Sequence, residues 1–88
     1  MNNFNLKWKK SAEKELNKVS KELIDSIIFK IENLHLNPYP QNVRKLKGAD
    51  SFFRIRVGDY RIIYQVLEKE KVIIINHIRH RKDAYKNL

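Results

Sequence analysis

The chain has no cysteine. Disulfide staples, thiolate zinc sites and a cysteine nucleophile are therefore excluded, and the fold must stand on apolar packing alone, which suits the cytoplasm. Glycine is nearly as scarce. Gly48 and Gly58 are the only two, too few for a glycine-rich loop that cradles phosphates. No apolar run approaches the roughly 18 residues of a membrane span. The opening residues, Met1 to Trp8, lack the apolar stretch of a secretory signal. A cytoplasmic protein with no membrane partner is expected. The histidines His35, His77 and His80 show no ligand-like spacing to carboxylates, so no metal and no cofactor are expected. Ser11, Ser20, Ser26 and Ser51 give no basis for a Ser-His-Asp constellation.

Acidic residues are outnumbered: 10 Asp and Glu stand against 19 Lys and Arg, a formal net charge of +9. That excess favours a nucleic-acid or other anionic partner over a neutral small molecule. With 88 residues, 42% of them hydrophobic, residues 1–88 read as one globular domain with a single modest core.

The clearest signal lies in residues 53–64. Phe53, Ile55, Val57, Tyr60, Ile62 and Tyr64 alternate with Arg54, Arg56, Arg61 and Ile63 on either side of Gly58-Asp59. Period-two alternation about such a pair is a β-hairpin, with glycine supplying the positive φ of a type II′ turn. Strands near 52–57 and 60–67 follow. Val57 then faces Tyr60, Ile55 faces Ile62, and Arg56 stands opposite Arg61. Like charges directly opposed across a ladder are destabilising, so their presence points to a polyanion on that face.

Elsewhere, Phe4, Leu6 and Trp8 alternate with Asn5, Lys7 and Lys9 as a short strand. The spacing then turns helical, predicting two helices near 11–18 and 21–35, with Ser11 and Ser20 as N-caps. Asn37-Pro38-Tyr39-Pro40 ends the helices. Residues 41–48 read as a basic connector. Lys71 to Ile78 forms the last strand, and its apolar run Val72-Ile73-Ile74-Ile75 suggests cover on both faces. The turn at 68–71 leaves open which of Asn76 and His77 shares the face of Arg61. The predicted order is β-α-α-β-β-β, an α+β fold: a mostly antiparallel sheet with a two-helix layer on one face. The other face would present Arg54, Arg56 and Arg61, with Arg79 arriving at the end of the last strand as a phosphate cradle.

Lys45-Leu46-Lys47-Gly48, the run Phe53 to Tyr64, and His80-Arg81-Lys82-Asp83-Ala84-Tyr85 together resemble the RelE/ParE toxin superfamily, and the RelE branch in particular. The resemblance spans nearly the whole chain. It implies a type II toxin that enters the ribosomal A site, cleaves mRNA without metal, and inhibits translation. Its partners would be a cognate antitoxin protein and the ribosome with its mRNA and ribosomal RNA. The implied catalytic residues are Arg54, Arg56, Arg61, Arg79 and Tyr85, with His80 as an alternative acid or base. Arg44, Lys45, Lys47, Arg81 and Lys82 would bind RNA, and Lys9, Lys10 and Lys14 could join them. Arg54 and Arg56 stand where lysine occurs in the best-known member. Arginine stabilises charge but cannot be deprotonated in a protein, so the base must lie elsewhere. Tyr85 is the first candidate. The rival readings are a ParE-like inhibitor of DNA gyrase and a non-catalytic basic module that only grips nucleic acid.

Overall fold

Gly58 and Asp59 turn the chain between two paired strands, as the alternation predicts. The structure, a computed structural model, describes residues 3–48 and 51–82. In chain order its elements are β1 (Asn5–Trp8), α1 (Lys10–Leu16), α2 (Lys21–Asn33), β2 (Arg44–Lys45), β3 (Phe52–Val57), β4 (Tyr60–Leu67) and β5 (Val72–His80). The strands form one sheet in the order β1-β5-β4-β3-β2. Only the β1–β5 pair is parallel. Val57 pairs with Tyr60, Arg56 with Arg61 and Ile55 with Ile62, the register that the hairpin alternation implies.

One face of the sheet makes the core. Ile55, Ile62 and Ile78 lie in register across β3, β4 and β5, and all three are buried. Ile27 and Ile31 of α2, followed by Leu34, pack against them, with Ala12 of α1 alongside. Spacing of four and three residues puts these side chains on one helical stripe. Each fully buried isoleucine contributes roughly 1.5–3 kcal/mol, so this layer is the main stabilising element.

Several local expectations need correction. Residues 41–48 are not wholly a connector, because Arg44 and Lys45 pair with Arg54 and Phe53 as the edge strand β2. Two residues carry no periodicity, and that strand exists only because β3 offers it an edge. Ser11 does not cap α1. Lys9 holds the cap position, and Ser11 lies inside the helix with its hydroxyl donating to the Asn76 carbonyl at 3.0 Å. Ser20 does occupy the N-cap of α2, but its side chain makes no capping hydrogen bond. Both helices end before the expected limits. Strand β5 lies inside the sheet between β1 and β4, yet Ile74 is only half-buried, so cover is complete on one face alone.

The proline segment is pinned to the sheet. Tyr64 donates its hydroxyl to the Pro38 carbonyl at 2.7 Å, and Tyr39 packs edge-on against Phe53 while donating to Glu68. Desolvation and the Glu68 carboxylate push the Tyr39 phenol up to about 12. Burial pushes the Tyr64 phenol upward as well. Both shifts favour the neutral phenol in the native state. Their stabilising contribution is therefore complete below the unfolded value of about 10 and is lost as pH rises beyond it. Urea unfolding followed from neutral pH into the alkaline range should show the midpoint falling above about pH 10.

Gly58 has φ +58°, and a Cβ there would stand 3.3 Å from Leu23 Cδ1 on α2. Left-handed backbone costs a non-glycine residue roughly 1–2 kcal/mol. Gly58→Ala should therefore lower Tm by at least about 4 °C in a domain of this size, measured by thermal melting.

Candidate nucleic-acid interface

Strand alternation sends the side chains between the core positions to the opposite face, and register collects them there. Arg56, Arg61 and Arg79 form one row across β3, β4 and β5. The neighbouring row runs Arg44, Arg54, Ile63, His77 across β2 to β5. Five arginines thus share one sheet face. Ile63 is only 3% exposed and lies apart from the helix-side core, so this face has an apolar floor beneath its charges. An open groove of about 810 Å3 runs along its β2–β3 side, lined by Arg44, Arg54, Arg56 and Arg61 together with Gln41 and Asn42. Arg56 is exposed, with its Nε donating to the Gly58 carbonyl at 3.2 Å.

The β5 end of the face depends on an irregularity. Ile63 pairs with His77 while Tyr64 pairs with Ile75, so Asn76 is an extra residue, a β-bulge. It reverses the alternation. Ile73 and Ile75 point to the core before it, Ile78 does so after it, and His77 and Arg79 are delivered to the arginine face. Asn76 itself is buried, and its amide oxygen and nitrogen have no hydrogen-bond partner.

Helix α1 completes this corner. Strand β1 pairs β5 only as far as Ile75, leaving the outer edge of β5 open beyond that point. Ser11 and Glu15, one helical turn apart, cover it. Ser11 donates to the Asn76 carbonyl, and the Ile78 N–H donates to Glu15 Oε1 at 2.9 Å. The same carboxylate reaches onto the arginine face: Oε1 lies 3.3 Å from His77 Nδ1, and Oε2 accepts from Arg79 Nε at 3.4 Å. Glu15 therefore fixes both side chains. Its partners lie more than sixty residues away along the chain, so no local spacing marks it.

The structure brings together Arg54, Arg56, Arg61 and Arg79, with Arg44 at the rim. It does not bring His80 to them. His80 pairs with Tyr60 on the helix side and meets its ring edge-on at 5.2 Å. The bulge gives His77 the place on the arginine face instead. Lys45 pairs with Phe53, which puts it on the other side of β2 from Arg44. Lys47, Arg81 and Lys82 lie in exposed turns. Tyr85 falls outside the described residues. Gln41 and Asn42 had no sequence signal beyond following Pro40. Among the described residues, no three His, Cys, Asp or Glu side chains stand close enough to hold a metal ion, and no helix is long and apolar enough to cross a membrane.

Planar guanidinium groups offer paired donors matched to phosphate oxygens. Several on one face can hold successive phosphates of a single strand or stabilise extra charge on one of them. Holding them unliganded has a cost. Opposed like charges cost about 0.2–1 kcal/mol, and at the exposed Arg56 the effect falls at the low end. Arg56→Gln should raise Tm slightly at low ionic strength, and the gain should shrink as salt shortens the Debye length. Melting curves across a salt series check it.

Comparison with known proteins agrees with this geometry. Residues 6–85 match the model of the family described as the ParE toxin of the type II toxin-antitoxin system, parDE. RelE1 of Methanocaldococcus jannaschii is 36% identical over 87 residues, covering 96% of this chain and 97% of that protein. The RelE of the archaeal RelE–RelB complex from Pyrococcus horikoshii superposes with a TM-score of 0.81 at 32% identity, covering 96% and 100% of the two chains. The RelB–RelE complex from Methanococcus jannaschii gives 0.78 at 28% identity, covering 93% and 98%. The chain belongs to the RelE/ParE superfamily, as a RelE-like toxin of a type II toxin–antitoxin system.

Proposed function

We propose that this toxin is a ribosome-dependent mRNA endoribonuclease that acts in the A site and stops translation. The observation that carries the reading is the row Arg56, Arg61, Arg79 with Arg54 and Arg44 beside it, gathered on one sheet face against cross-strand repulsion along an open groove. Attack of a ribose 2′-OH on the adjacent phosphorus passes through a dianionic phosphorane. Arginines set around that phosphate stabilise the developing charge without themselves moving protons. Gln41 and Asn42 stand at the groove, where side-chain amides can hydrogen-bond unstacked bases. The reaction also needs a base for the 2′-OH and an acid for the 5′-oxygen. Tyr85 is one candidate for these two transfers. In this reading the chemistry requires no metal.

The partners follow from the same surface. A strand held by phosphate contacts binds in a strongly salt-dependent way, and Arg44, Lys45, Lys47, Arg81 and Lys82 extend the positive surface towards ribosomal RNA and mRNA. The relatives from Pyrococcus and Methanococcus are solved as RelE with RelB. A cognate antitoxin with an acidic or amphipathic segment is the corresponding partner here, and it would act by covering the arginine face. The description of the matched family as a ParE toxin favours a second reading, a gyrase inhibitor that performs no chemistry.

Primer extension on mRNA from cells expressing the toxin separates the two. Discrete cuts that require ribosomes are expected from the wild type, and Arg61→Ala should abolish them while retaining the wild-type circular dichroism spectrum. Intact mRNA with gyrase-dependent DNA damage would establish the second reading, and unchanged cleavage by Arg61→Ala would remove the arginine row from the site.

A further inference from the structure

Beside the arginines stand two described groups that can accept a proton, His77 and the Glu15 carboxylate that reaches it. His77 stands on the arginine face, beside Arg79 and in register with Ile63, its side chain 30% exposed. Its Nδ1 faces Glu15 Oε1 at 3.3 Å. An imidazole that donates Nδ1–H to a carboxylate keeps its Nε2 lone pair for a substrate proton. Arg79 Nη2 lies 3.3 Å from Nδ1 and 3.4 Å from Nε2. A point so nearly equidistant from both nitrogens lies over the ring face, since in the ring plane it would collide with the carbon between them. The guanidinium therefore leaves the in-plane direction of Nε2 open.

We propose that His77 is the general base of the cleavage reaction, with Glu15 as its positioning residue. This rests on the endoribonuclease reading above. His77 Nε2 takes the proton of the ribose 2′-OH as its oxygen forms a bond to phosphorus, while the bond from phosphorus to O5′ breaks. O5′ takes a proton from a separate acid, leaving a 2′,3′-cyclic phosphate and a 5′-OH. Arg61 and Arg79 neutralise the phosphorane between the two transfers. Glu15 is not itself the base, because both its oxygens are engaged: Oε1 by the Ile78 N–H and His77, Oε2 by Arg79 Nε. It fixes the tautomer and orientation of the imidazole and stabilises the imidazolium that forms, as carboxylates do for catalytic histidines elsewhere.

The test uses the full chain with programmed ribosomes and a single-turnover cleavage assay, alongside binding to ribosomes carrying a 2′-deoxy mRNA that cannot react. His77→Asn should slow cleavage by about 100-fold or more with binding and Tm close to wild type. Glu15→Gln, whose amide oxygen can still accept the Ile78 N–H, should slow cleavage by a smaller factor. The double variant should be no slower than His77→Asn alone, since residues acting as a unit are not additive. Cleavage by His77→Asn within about threefold of wild type overturns the proposal, as does a matching loss of binding, which would make His77 an anchor. Should His77→Asn fail to fold, Glu15→Gln carries the test, and unchanged cleavage there overturns it. A wild type that does not cleave at all refutes the endoribonuclease reading instead, a result distinct from either.

Discussion

The arginine face depends on one extra residue in β5. Strict alternation through Ile73 and Ile75 would continue with His77 and Arg79 directed into the helix-side core, where an unpaired guanidinium is prohibitively costly. Asn76 interrupts that sequence. After it Ile78 completes the core row with Ile55 and Ile62, and Arg79 aligns with Arg61. The bulge has its own penalty, a buried amide whose two polar atoms lack partners, each unmade bond costing roughly 1–3 kcal/mol. The bond from Ser11 to the Asn76 carbonyl meets the backbone part of that demand. Bulges near sites re-aim side chains, and this one re-aims two.

Repulsion along the face is tolerated because the opposite side of the same strands is so heavily apolar. Ile55, Ile62, Tyr64, Ile73, Ile75 and Ile78 hold the sheet against α2 and α1. Each large side chain buried there contributes more than an opposed arginine pair costs. Ile63 adds to this from the charged side, sheltered between the positions of Arg54 and His77. Arginine stems can lie along such a floor while their guanidinium ends stay in water. Glu15 offsets charge at the β5 end, where Arg79 is 15% exposed and Glu15 is its counter-charge among the described residues. Towards β3, Arg56 stays exposed at the open groove.

What could be read from the chain follows the range of the forces involved. The hairpin was legible to the residue because alternation, a two-residue turn and register are all local. Helix positions were legible to within a few residues, since apolar spacing marks a buried stripe but not the last hydrogen bond. Strand β2 was not legible: Arg44 and Lys45 have no pattern of their own and pair only because β3 is there. Nor was the bulge, because Val72 to Ile75 is apolar without alternation and hides its own parity. That hidden parity left Asn76 and His77 undecided between the two faces, and the bulge delivers His77 to the arginines. Glu15 was not legible as a partner of Ile78, His77 and Arg79, since contacts across sixty residues leave no mark in local spacing.

These limits divide the site into two parts with different chemistry. The hairpin and β2 contribute arginines only, groups whose charge is permanent and whose work is electrostatic. The described side chains next to these arginines that can exchange a proton, His77 and Glu15, come from the corner where α1 meets β5, outside the hairpin. Such a division has a physical logic. Permanent charges can be set by a rigid two-strand register, because stabilising a phosphate needs direction and proximity but no transfer. A proton-transferring histidine needs its tautomer fixed by a second group, and a carboxylate placed on the hairpin would have neutralised the arginines it stood beside. Holding Glu15 on a separate helix, at the open edge of β5, lets it meet His77 and one arginine while leaving the rest of the row charged. The edge that β1 leaves unpaired is thus both a demand for hydrogen bonds and the opening through which a carboxylate reaches the site.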